Sequence, residues 1–398
     1  MLLTALMMAA AQPTLRFDLT GKSADGRTAV AAGKPYEAGG YGYEPERRGS
    51  EFLFSAAVPE GNYRVTVRLS GRSTVKAESR RLMTGEIVAR PGTYATASFI
   101  VNVRTAALAA PPLNAPGGSA VKLKPREVGS YSWDDKLTLE FLGDPKVVSI
   151  DIEPVTVPTV YLAGDSTVTD QRAEPAASWG QMLPALFGPG VAVANHAESG
   201  ETLKSFMAEL RLDKILSQIR PGDWLFVQFG HNDQKAEWPQ TYADPAITYP
   251  AWLRTYIAEA RRRGAHPVLV TSPERRNFDA GRIRPTLAAY ADAVRKVARE
   301  DGVPLIDLQP RTVAIYEALG PDAAPALFND GGKDKTHHNN PGAWLLARAV
   351  AAEVATQVPG LAAHLRPEAR SFDPTRPALD TIRIAPSIVA SAVRPAGS

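Results

Sequence analysis

Residues 161–170 have the sequence YLAGDSTVTD. The hydrophobic run that begins at Val157 stops abruptly at Gly164, Asp165 and Ser166, which predicts a buried strand that ends in a polar turn. Taken alone, these three residues indicate a turn, because glycine, aspartate and serine are ordinary turn formers and the last two also cap helices. A second interpretation makes Ser166 a nucleophile, and the residues that follow the other strands distinguish the two.

From Thr159 onward, strand-like and helix-like runs alternate. The strand-like runs are TVYLAGD, VAVANHA, DWLFVQFG, HPVLVTSP and VPLIDLQ, and the helix-like runs include SWGQMLPALF, ETLKSFMAELRLDKILSQI, PAWLRTYIAEARRRG, LAAYADAVRKVARED and AWLLARAVAAEVATQ. This alternation predicts parallel βαβ units and a doubly wound α/β sheet. Ligands bind such sheets at the carboxyl ends of the strands, so we expect the functional residues there.

The first part of the chain has a different pattern. In NYRVTVRLSG (62–71) apolar and polar residues alternate, as in a strand with one buried face. Similar short segments are separated by turns rich in glycine and proline, which predicts an all-β sandwich. We therefore expect a β-sandwich over residues 15–156, a doubly wound α/β domain over residues 157–365, and an irregular tail rich in proline and arginine over residues 366–398.

Composition excludes several classes of protein. The chain has 398 residues, of which 44% are hydrophobic and 22% charged, so we expect a globular fold. The formal charge of +3 is small and no basic run is interleaved with aromatic residues, which argues against a nucleic-acid partner. The absence of cysteine excludes disulfides, thiolate metal sites and a cysteine nucleophile.

The chain begins with MLLTALMMAAAQPT. An apolar segment that ends in small residues before Gln12 and Pro13 is typical of a signal peptide with its cleavage site, here residues 1–11. We therefore expect a secreted or periplasmic protein. No other segment approaches the length of a membrane span.

Polar residues follow the predicted strands of the α/β half. They are Asp165 and Ser166 after the first strand, Asn195 and Gly200 after the second, and His231, Asn232 and Asp233 after the third. Asp334 and His337 stand three positions apart just before the last helix. Because the carboxyl ends of parallel strands meet at one edge, the sequence predicts that these clusters converge.

The residue types complement one another chemically. A serine that attacks a carbonyl needs a general base, and histidine has a suitable pKa near neutrality. A carboxylate orients the histidine and stabilises its cation, while a backbone N–H and an asparagine amide are suitable donors to an oxyanion. Ser166, His337 and Asp334 match the first three roles, and Gly200 and Asn232 match the last.

Together these motifs resemble the SGNH (GDSL-type) hydrolase superfamily, and within it the rhamnogalacturonan acetylesterases. Gly164-Asp165-Ser166 is similar to the nucleophile motif, Gly200 to the glycine of the second block, and Asn232 in GHND to the third block. DKTH (334–337) is similar to the closing Asp-x-x-His motif, and TSPERRNFD (271–279) to a segment of the acetylesterase branch.

The resemblance covers about residues 157–360 and implies a secreted serine esterase that deacetylates a plant cell-wall polysaccharide, most closely rhamnogalacturonan. It implies a catalytic triad of Ser166, His337 and Asp334, and an oxyanion hole formed by Ser166, Gly200 and Asn232. No cofactor and no metal are implied, and THHNN (336–340) has no second ligand cluster for zinc. The N-terminal half resembles a galactose-binding-like domain.

Other interpretations of individual residues stay open. Asp165 is expected to brace its loop, one of the adjacent His337 and His338 is expected to be structural, and Gly200 also suits a turn that opens a helix. His231 and Asp233 either orient Asn232 or hold its loop. His231, Arg275 and Arg276 are candidate substrate-binding residues, since an arginine suits a uronate, although surface ion pairing explains the two arginines equally well.

Two alternative functions also stay open. One is an acetylesterase for xylan, another glycan or a small ester, because one fold hosts many substrates. The other, of a different class, is a carbohydrate-binding protein without activity. In the N-terminal half we expect exposed aromatic residues at loop tips that stack on sugar rings, or alternatively pack in an interface: Tyr36, Tyr41, Tyr43 and Trp133. The oligomeric state stays open.

Overall fold

The computed structural model describes residues 13–22 and 25–391, so the predicted signal peptide over residues 1–11 lies outside the described residues. The first part of the chain consists of short strands. They are β1 (Leu15–Asp18), β2 (Thr28–Ala29), β3 (Tyr41–Arg48), β4 (Glu51–Ala57), β5 (Gly61–Leu69), β6 (Arg72–Ala77), β7 (Arg81–Leu82), β8 (Ile87–Val88), β9 (Ala95–Val103), β10 (Lys136–Asp144) and β11 (Val147–Pro154).

These strands form two sheets that pack face to face. One has the order β2-β1-β11-β5-β9, and the other has the order β3-β4-β10-β6-β7 with β8 paired to β6. Apart from the parallel pair β1–β2, the pairing is antiparallel. In β5, Val65, Val67 and Leu69 are fully buried while the residues between them are not, as their alternation predicts. We refer to residues 15–154 as the β-sandwich.

Of the two alternatives for the aromatic rings of the β-sandwich, the structure supports packing against neighbouring residues and not exposure at loop tips. All of them are half-buried: Tyr36, Tyr41, Tyr43 and Trp133. Tyr41 packs on Phe17 with 4.7 Å between ring centroids. Trp133 packs edge-on against His196 of the α/β half with 5.6 Å between centroids. Burying these large rings against neighbours removes more apolar surface from water than stacking them on loop tips would.

The remainder of the chain alternates strands and helices. Its strands are β12 (Thr159–Gly164), β13 (Ala176–Ala177), β14 (Ala192–Asn195), β15 (Trp224–Gln228), β16 (His266–Val270), β17 (Phe278–Asp279), β18 (Arg282–Ile283), β19 (Leu305–Ile306) and β20 (His338–Asn339). Its helices are α1 (Trp179–Met182), α2 (Leu203–Ala208), α3 (Arg211–Gln218), α4 (Thr248–Arg262), α5 (Ala288–Glu300), α6 (Leu308–Ala323), α7 (Asn340–Gln357) and α8 (Pro359–Ala362).

The main sheet has the order β14-β12-β15-β16-β19, and every pair in it is parallel. Apolar clusters cover both faces of this sheet, so β12, β14 and β15 are buried at every position. β12 lies between β14 and β15, which places the residues that follow these three strands next to one another. The predicted α/β fold preceded by a β-sandwich is confirmed.

One predicted helix is divided in two. The run ETLKSFMAELRLDKILSQI forms α2 and α3, separated at Leu210, whose φ of +62° is left-handed. The break frees backbone carbonyls for the β-sandwich: the Lys122 backbone N–H donates to the Glu209 carbonyl at 3.0 Å, and Lys122 Nζ donates to the Ala208 carbonyl at 2.9 Å. These tertiary contacts compensate for hydrogen bonds that a continuous helix would make.

Buried charges join the β-sandwich to the α/β half. The Glu174 carboxylate pairs with Arg80 at 2.6 Å and with Lys76 at 3.3 Å, and the Lys76 side chain is fully buried. The Ser387 backbone N–H donates to the same carboxylate at 2.7 Å, so the segment predicted as a tail is also attached here. Within the described ranges, no helix is long and apolar enough to cross a membrane.

We predict that Glu174→Gln lowers the free energy of unfolding by about 3–5 kcal/mol, because it leaves two buried cations without their counter-charge. Burial alone would raise the pKa of Glu174, but Arg80 and Lys76 hold it at about 2. Because the pKa of Glu174 is lower in the folded protein than its ordinary value of 4.5, the ionised carboxylate stabilises the folded protein fully at pH values above 4.5. This stabilisation is lost as the pH falls from 4.5 toward 2. The difference between the native protein and the variant should therefore shrink across that range in urea unfolding.

The matched control is Glu153→Gln. Glu153 pairs with Arg64 at 3.1 Å in an exposed position, where both side chains keep a large accessible fraction. Exposed pairs contribute little, so we expect a change within about 0.5 kcal/mol. Equal losses in the two variants would contradict a structural role for the buried pair.

Candidate active site

Ser166 lies in the turn that follows β12. The Thr167 backbone N–H donates to Asp165 Oδ1 at 2.9 Å, and the Val168 N–H donates to the Asp165 carbonyl at 3.0 Å, so Asp165 braces the loop as predicted. Gly164 is required by close packing, because a Cβ there would lie 2.5 Å from the Val168 side chain. The loop therefore holds Ser166 in one position at the carboxyl edge of the sheet.

The structure brings Ser166, His337 and Asp334 together. His337 Nε2 lies 2.9 Å from Ser166 Oγ, and His337 Nδ1 lies 2.9 Å from Asp334 Oδ2. With Asp334 ionised, Nδ1 carries the hydrogen and Nε2 is left as the acceptor that faces the hydroxyl. Burial alone would raise the pKa of Asp334, but hydrogen bonds from His337 and from the Thr336 N–H hold it at about 2. The carboxylate is therefore charged at neutral pH.

The neighbouring His338 has a structural position. Its Nε2 lies 2.7 Å from the Tyr316 hydroxyl, and its ring packs between Tyr316 and Phe328. Burial and the nearby His337 lower the pKa of His338 to about 3, so the ring is neutral. Of the two adjacent histidines, His337 is the one that contacts Ser166.

Gly200 and Asn232 follow β14 and β15, the two strands that flank β12. Gly200 has a φ of +83°, which glycine adopts without strain. Asn232 is buried, and its Nδ2 donates to the Glu201 carbonyl at 3.0 Å, which leaves the second N–H of the amide available. The structure therefore places the proposed oxyanion donors on the loops either side of Ser166.

Asp233 holds the loop that carries His231 and Asn232. The Asp233 carboxylate accepts from the Leu203 N–H at 2.9 Å and from the Gly230 N–H at 2.8 Å, so it ties this loop to the start of α2. Burial and the Arg275 charge lower the pKa of His231 well below its ordinary value, so its ring is neutral. The contacts of Asp233 therefore support the interpretation from the sequence in which Asp233 holds the loop of Asn232, and not the one in which it orients the Asn232 side chain.

Arg275 and Arg276 donate to protein acceptors. Arg275 Nη2 donates to the His231 carbonyl at 3.3 Å, next to Asn232. Arg276 donates to the Gly332 carbonyl, and its guanidinium lies 5.0 Å from the centre of the Phe328 ring. These contacts favour a role in holding the loops that carry Asn232 and His337, and contact with substrate stays a prediction.

Sequence reasoning missed the part of this site that comes from the β-sandwich. Lys124 and Arg126 both contact the loop that carries Gly200. They lie on an irregular segment that has no motif and no periodic pattern, so the sequence contains no local signal for them. Their position depends on how the two halves pack.

Comparison with known proteins identifies the family. The model of the GDSL-like Lipase/Acylhydrolase family matches residues 162–345. The rhamnogalacturonan acetylesterase RhgT of Bacillus subtilis is 44% identical over 206 residues, which cover 48% of this chain and 87% of that protein. The probable rhamnogalacturonan acetylesterase YesY of the same organism is 39% identical over 195 residues, or 48% of this chain and 90% of that protein.

This chain belongs to the GDSL-like lipase/acylhydrolase family. It is a carboxylic ester hydrolase of the SGNH type, as the motifs predicted. The crystal structure of YxiM from Bacillus subtilis aligns with a TM-score of 0.50 and 25% identity, over 87% of this chain and 99% of that one. That alignment is too long to be confined to the α/β half, so the structural likeness to YxiM extends into the β-sandwich of this chain.

We predict that a fluorophosphonate labels Ser166 stoichiometrically at about pH 7 and leaves Ser166→Ala unlabelled. Asp334→Asn should slow labelling by about a thousandfold or more, because an amide holds the imidazole in the wrong tautomer. Intact-mass spectrometry measures both rates. Asp322→Asn, an exposed substitution, is the matched control and should react at the native rate. Equal labelling of the two asparagine variants would contradict a role for Asp334.

Proposed function

We propose that this protein removes acetyl groups from a plant cell-wall polysaccharide, with rhamnogalacturonan as its preferred polymer. The observation that carries this proposal is the hydrogen-bonded series Ser166–His337–Asp334, in which both contacts are 2.9 Å. A binding protein has no need for a serine whose hydroxyl faces a histidine oriented by a carboxylate. Catalysis through an acyl-enzyme therefore explains the geometry better than a binding role alone.

In the proposed mechanism, Ser166 Oγ attacks the acetyl carbonyl while His337 Nε2 accepts its proton. Asp334 stabilises the imidazolium that forms. The carbonyl oxygen becomes an oxyanion, which accepts hydrogen bonds from the Ser166 and Gly200 N–H groups and the Asn232 amide. As the tetrahedral intermediate collapses, His337 returns the proton to the departing sugar hydroxyl and acetyl-Ser166 is left.

Water repeats the cycle in the second half of the reaction. His337 accepts a proton from water, the hydroxide attacks the acetyl-enzyme, and the same donors hold the second oxyanion. Acetic acid departs and releases its proton to solvent as acetate, while Ser166 recovers its proton from His337. The residues named supply every proton transfer on the enzyme.

The substrate assignment is supported by the names of relatives. RhgT and a protein of Emericella nidulans, which is 25% identical over 210 residues, are both described as rhamnogalacturonan acetylesterases. A polymer of plant cell walls lies outside the cell that degrades it, so we also propose that the enzyme is secreted or periplasmic. The apolar start over residues 1–11 supports that location.

We predict that the native protein hydrolyses p-nitrophenyl acetate and that Ser166→Ala lowers kcat by about a thousandfold or more. In a panel of acetylated polymers, acetate release should be fastest from rhamnogalacturonan. Faster release from acetylated xylan would overturn the choice of polymer and leave the mechanism intact. Native turnover by purified Ser166→Ala would overturn the mechanism itself.

Trp238 is a candidate platform for a sugar ring. It keeps 39% of its surface exposed and lies on the loop that directly follows Asn232 and Asp233. The Lys235 ammonium lies 4.1 Å from the centre of its ring. Burial and the nearby charge of Arg275 lower the pKa of Lys235. An exposed indole beside cationic groups suits a polymer that carries both sugar faces and carboxylates.

We predict that Trp238→Ala lowers kcat/KM on acetylated rhamnogalacturonan by about fivefold to tenfold. This is the loss expected when one stacking contact between an aromatic ring and the substrate is removed. The loss should be smaller on p-nitrophenyl acetate, which has no sugar ring. Ile247→Ala is the matched control, because Ile247 is 73% exposed near the end of the same loop. Equal losses on the two substrates would contradict a stacking role.

A further inference from the structure

The loop that carries Gly200 is held by two cations of the β-sandwich. Arg126 Nη2 donates to the Ser199 carbonyl at 2.6 Å, and Lys124 Nζ donates to the same carbonyl at 3.2 Å. Both side chains also pair with the acids on either side of this peptide: Arg126 Nε lies 2.7 Å from Glu198 Oε1, and Lys124 pairs with Glu201. The peptide before Gly200 is therefore contacted from one side by two positive charges.

These contacts stabilise the direction of the Gly200 N–H, together with the turn in which the Glu201 N–H donates to the Glu198 carbonyl at 3.3 Å. The Ser199 carbonyl and the Gly200 N–H belong to one planar peptide unit, and in a trans peptide they point in opposite directions. Holding the carbonyl toward Lys124 and Arg126 aims the N–H away from the β-sandwich. Cations at the oxygen also polarise the peptide, which makes its N–H a stronger donor. Gly200, with a φ of +83°, does not resist this orientation sterically.

The same segment of the β-sandwich is anchored independently of this peptide. The Glu127 carboxylate accepts from both terminal nitrogens of Arg211, at 3.0 and 2.5 Å, and from Trp133 Nε1 at 3.0 Å. Arg211 and Glu127 are both buried, so this pair is poorly screened by solvent. The anchor fixes residues 124–127 against α3 and so fixes the two cations beside Gly200.

A second connection reaches Asn232. Glu201, whose side chain pairs with Lys124, accepts a hydrogen bond from Asn232 Nδ2 through its backbone carbonyl at 3.0 Å. Its own side chain is fully buried. The Gly200 peptide and the Asn232 amide are thus joined through one residue, which the β-sandwich contacts directly.

We propose that Lys124 and Arg126 are positioning residues of the oxyanion hole, and that the β-sandwich thereby completes the catalytic site of the α/β half. This inference rests on the proposed function, because it assigns the Gly200 N–H to the oxyanion. It gives the β-sandwich a part in the chemical step that is separate from any binding of polymer. The α/β half by itself contains the nucleophile, its base and the turn in which the Glu201 N–H donates to the Glu198 carbonyl at 3.3 Å, and the β-sandwich adds the two cations that hold the Ser199 carbonyl.

The kinetic test uses three variants: Lys124→Met, Arg126→Met and the double variant that combines these two substitutions. Each is compared with the control variant Lys122→Met. Lys122 is a matched control, because its Nζ donates to the Ala208 carbonyl in the same interface and makes no contact with Ser199. On p-nitrophenyl acetate we expect kcat to fall about tenfold in each single variant and about a hundredfold in the double variant, since a fully lost oxyanion donor costs about 10²- to 10³-fold. KM should stay within about twofold, and Lys122→Met should keep native kcat.

The conservative variants Lys124→Arg and Arg126→Lys separate positioning from folding. They keep the positive charges that neutralise Glu198 and Glu201, so we expect folded protein with at least about half of the native kcat. Thermal unfolding of every variant is recorded beside the kinetics. If the methionine variants lose kcat only in proportion to lost folded protein, or if Lys122→Met loses as much, the proposal is wrong.

An NMR measurement tests the peptide directly. The dipeptide Ser-Gly occurs twice in the sequence, at Ser70-Gly71 and at Ser199-Gly200. Protein made with ¹³C-carbonyl serine and ¹⁵N-glycine therefore gives two HNCO signals, of which Gly71 in the β-sandwich is an internal reference. The Gly200 signal should move in the methionine variants and stay in place in Lys122→Met. An unmoved Gly200 signal in the double variant overturns the proposal.

The two proposals fail in different ways. If native protein and Ser166→Ala release acetate equally slowly, the proposed function fails, and the positioning role in catalysis fails with it even if the Gly200 signal moves. If Ser166-dependent hydrolysis is intact and the double methionine variant keeps native kcat, the positioning role alone is wrong.

Discussion

The hydrogen bond between Ser166 Oγ and His337 Nε2 joins residues that are 171 positions apart in the chain. It forms because β12 is an inner strand of a parallel sheet, between β14 and β15, and the turn after it lies beside the segment that precedes α7. The sheet order β14-β12-β15 then brings the loops of Gly200 and Asn232 to the same edge. Every chemical role proposed for this site depends on that convergence, since no two of the main blocks are neighbours in sequence.

Burial of charge is the second constraint on the structure. Arg211, Lys76 and Glu201 have side chains that are fully buried, and each is paired with an opposite charge across or near the interface of the two halves. Because an unpaired buried charge is costly, these pairs allow few relative positions of the β-sandwich and the α/β half. The pairs of Glu201 and Arg211 lie beside the loop of Gly200, so interface geometry and the geometry of the candidate site are linked there. The β-sandwich therefore contacts the loop of Gly200 directly, which is the basis of the positioning role proposed for Lys124 and Arg126.

Much of this site was predictable because its residues are marked by local patterns. Each strand of the α/β half ends in a polar block, and the three-residue spacing of Asp334 and His337 distinguishes His337 from His338. The sequence left open whether the aromatic residues of the β-sandwich are exposed or packed, because a tyrosine in a turn has the same local pattern whether its ring faces solvent or Phe17. Arg275 was also ambiguous, since an arginine near an active site suits both a substrate carboxylate and the His231 carbonyl that it contacts.

By itself, the sequence determined the α/β alternation and the β-rich N-terminal part, and it supplied the candidate site residues Ser166, Gly200, Asn232 and His337. These features depend on hydrophobic periodicity and on residue types at strand ends, which are local properties of the chain. Only the tertiary structure decided the break at Leu210 and the contacts of Lys124 and Arg126 with Ser199. Both depend on backbone groups that become available as acceptors when the β-sandwich packs against the α/β half, and a carbonyl's partner across an interface leaves no pattern in the residues around it.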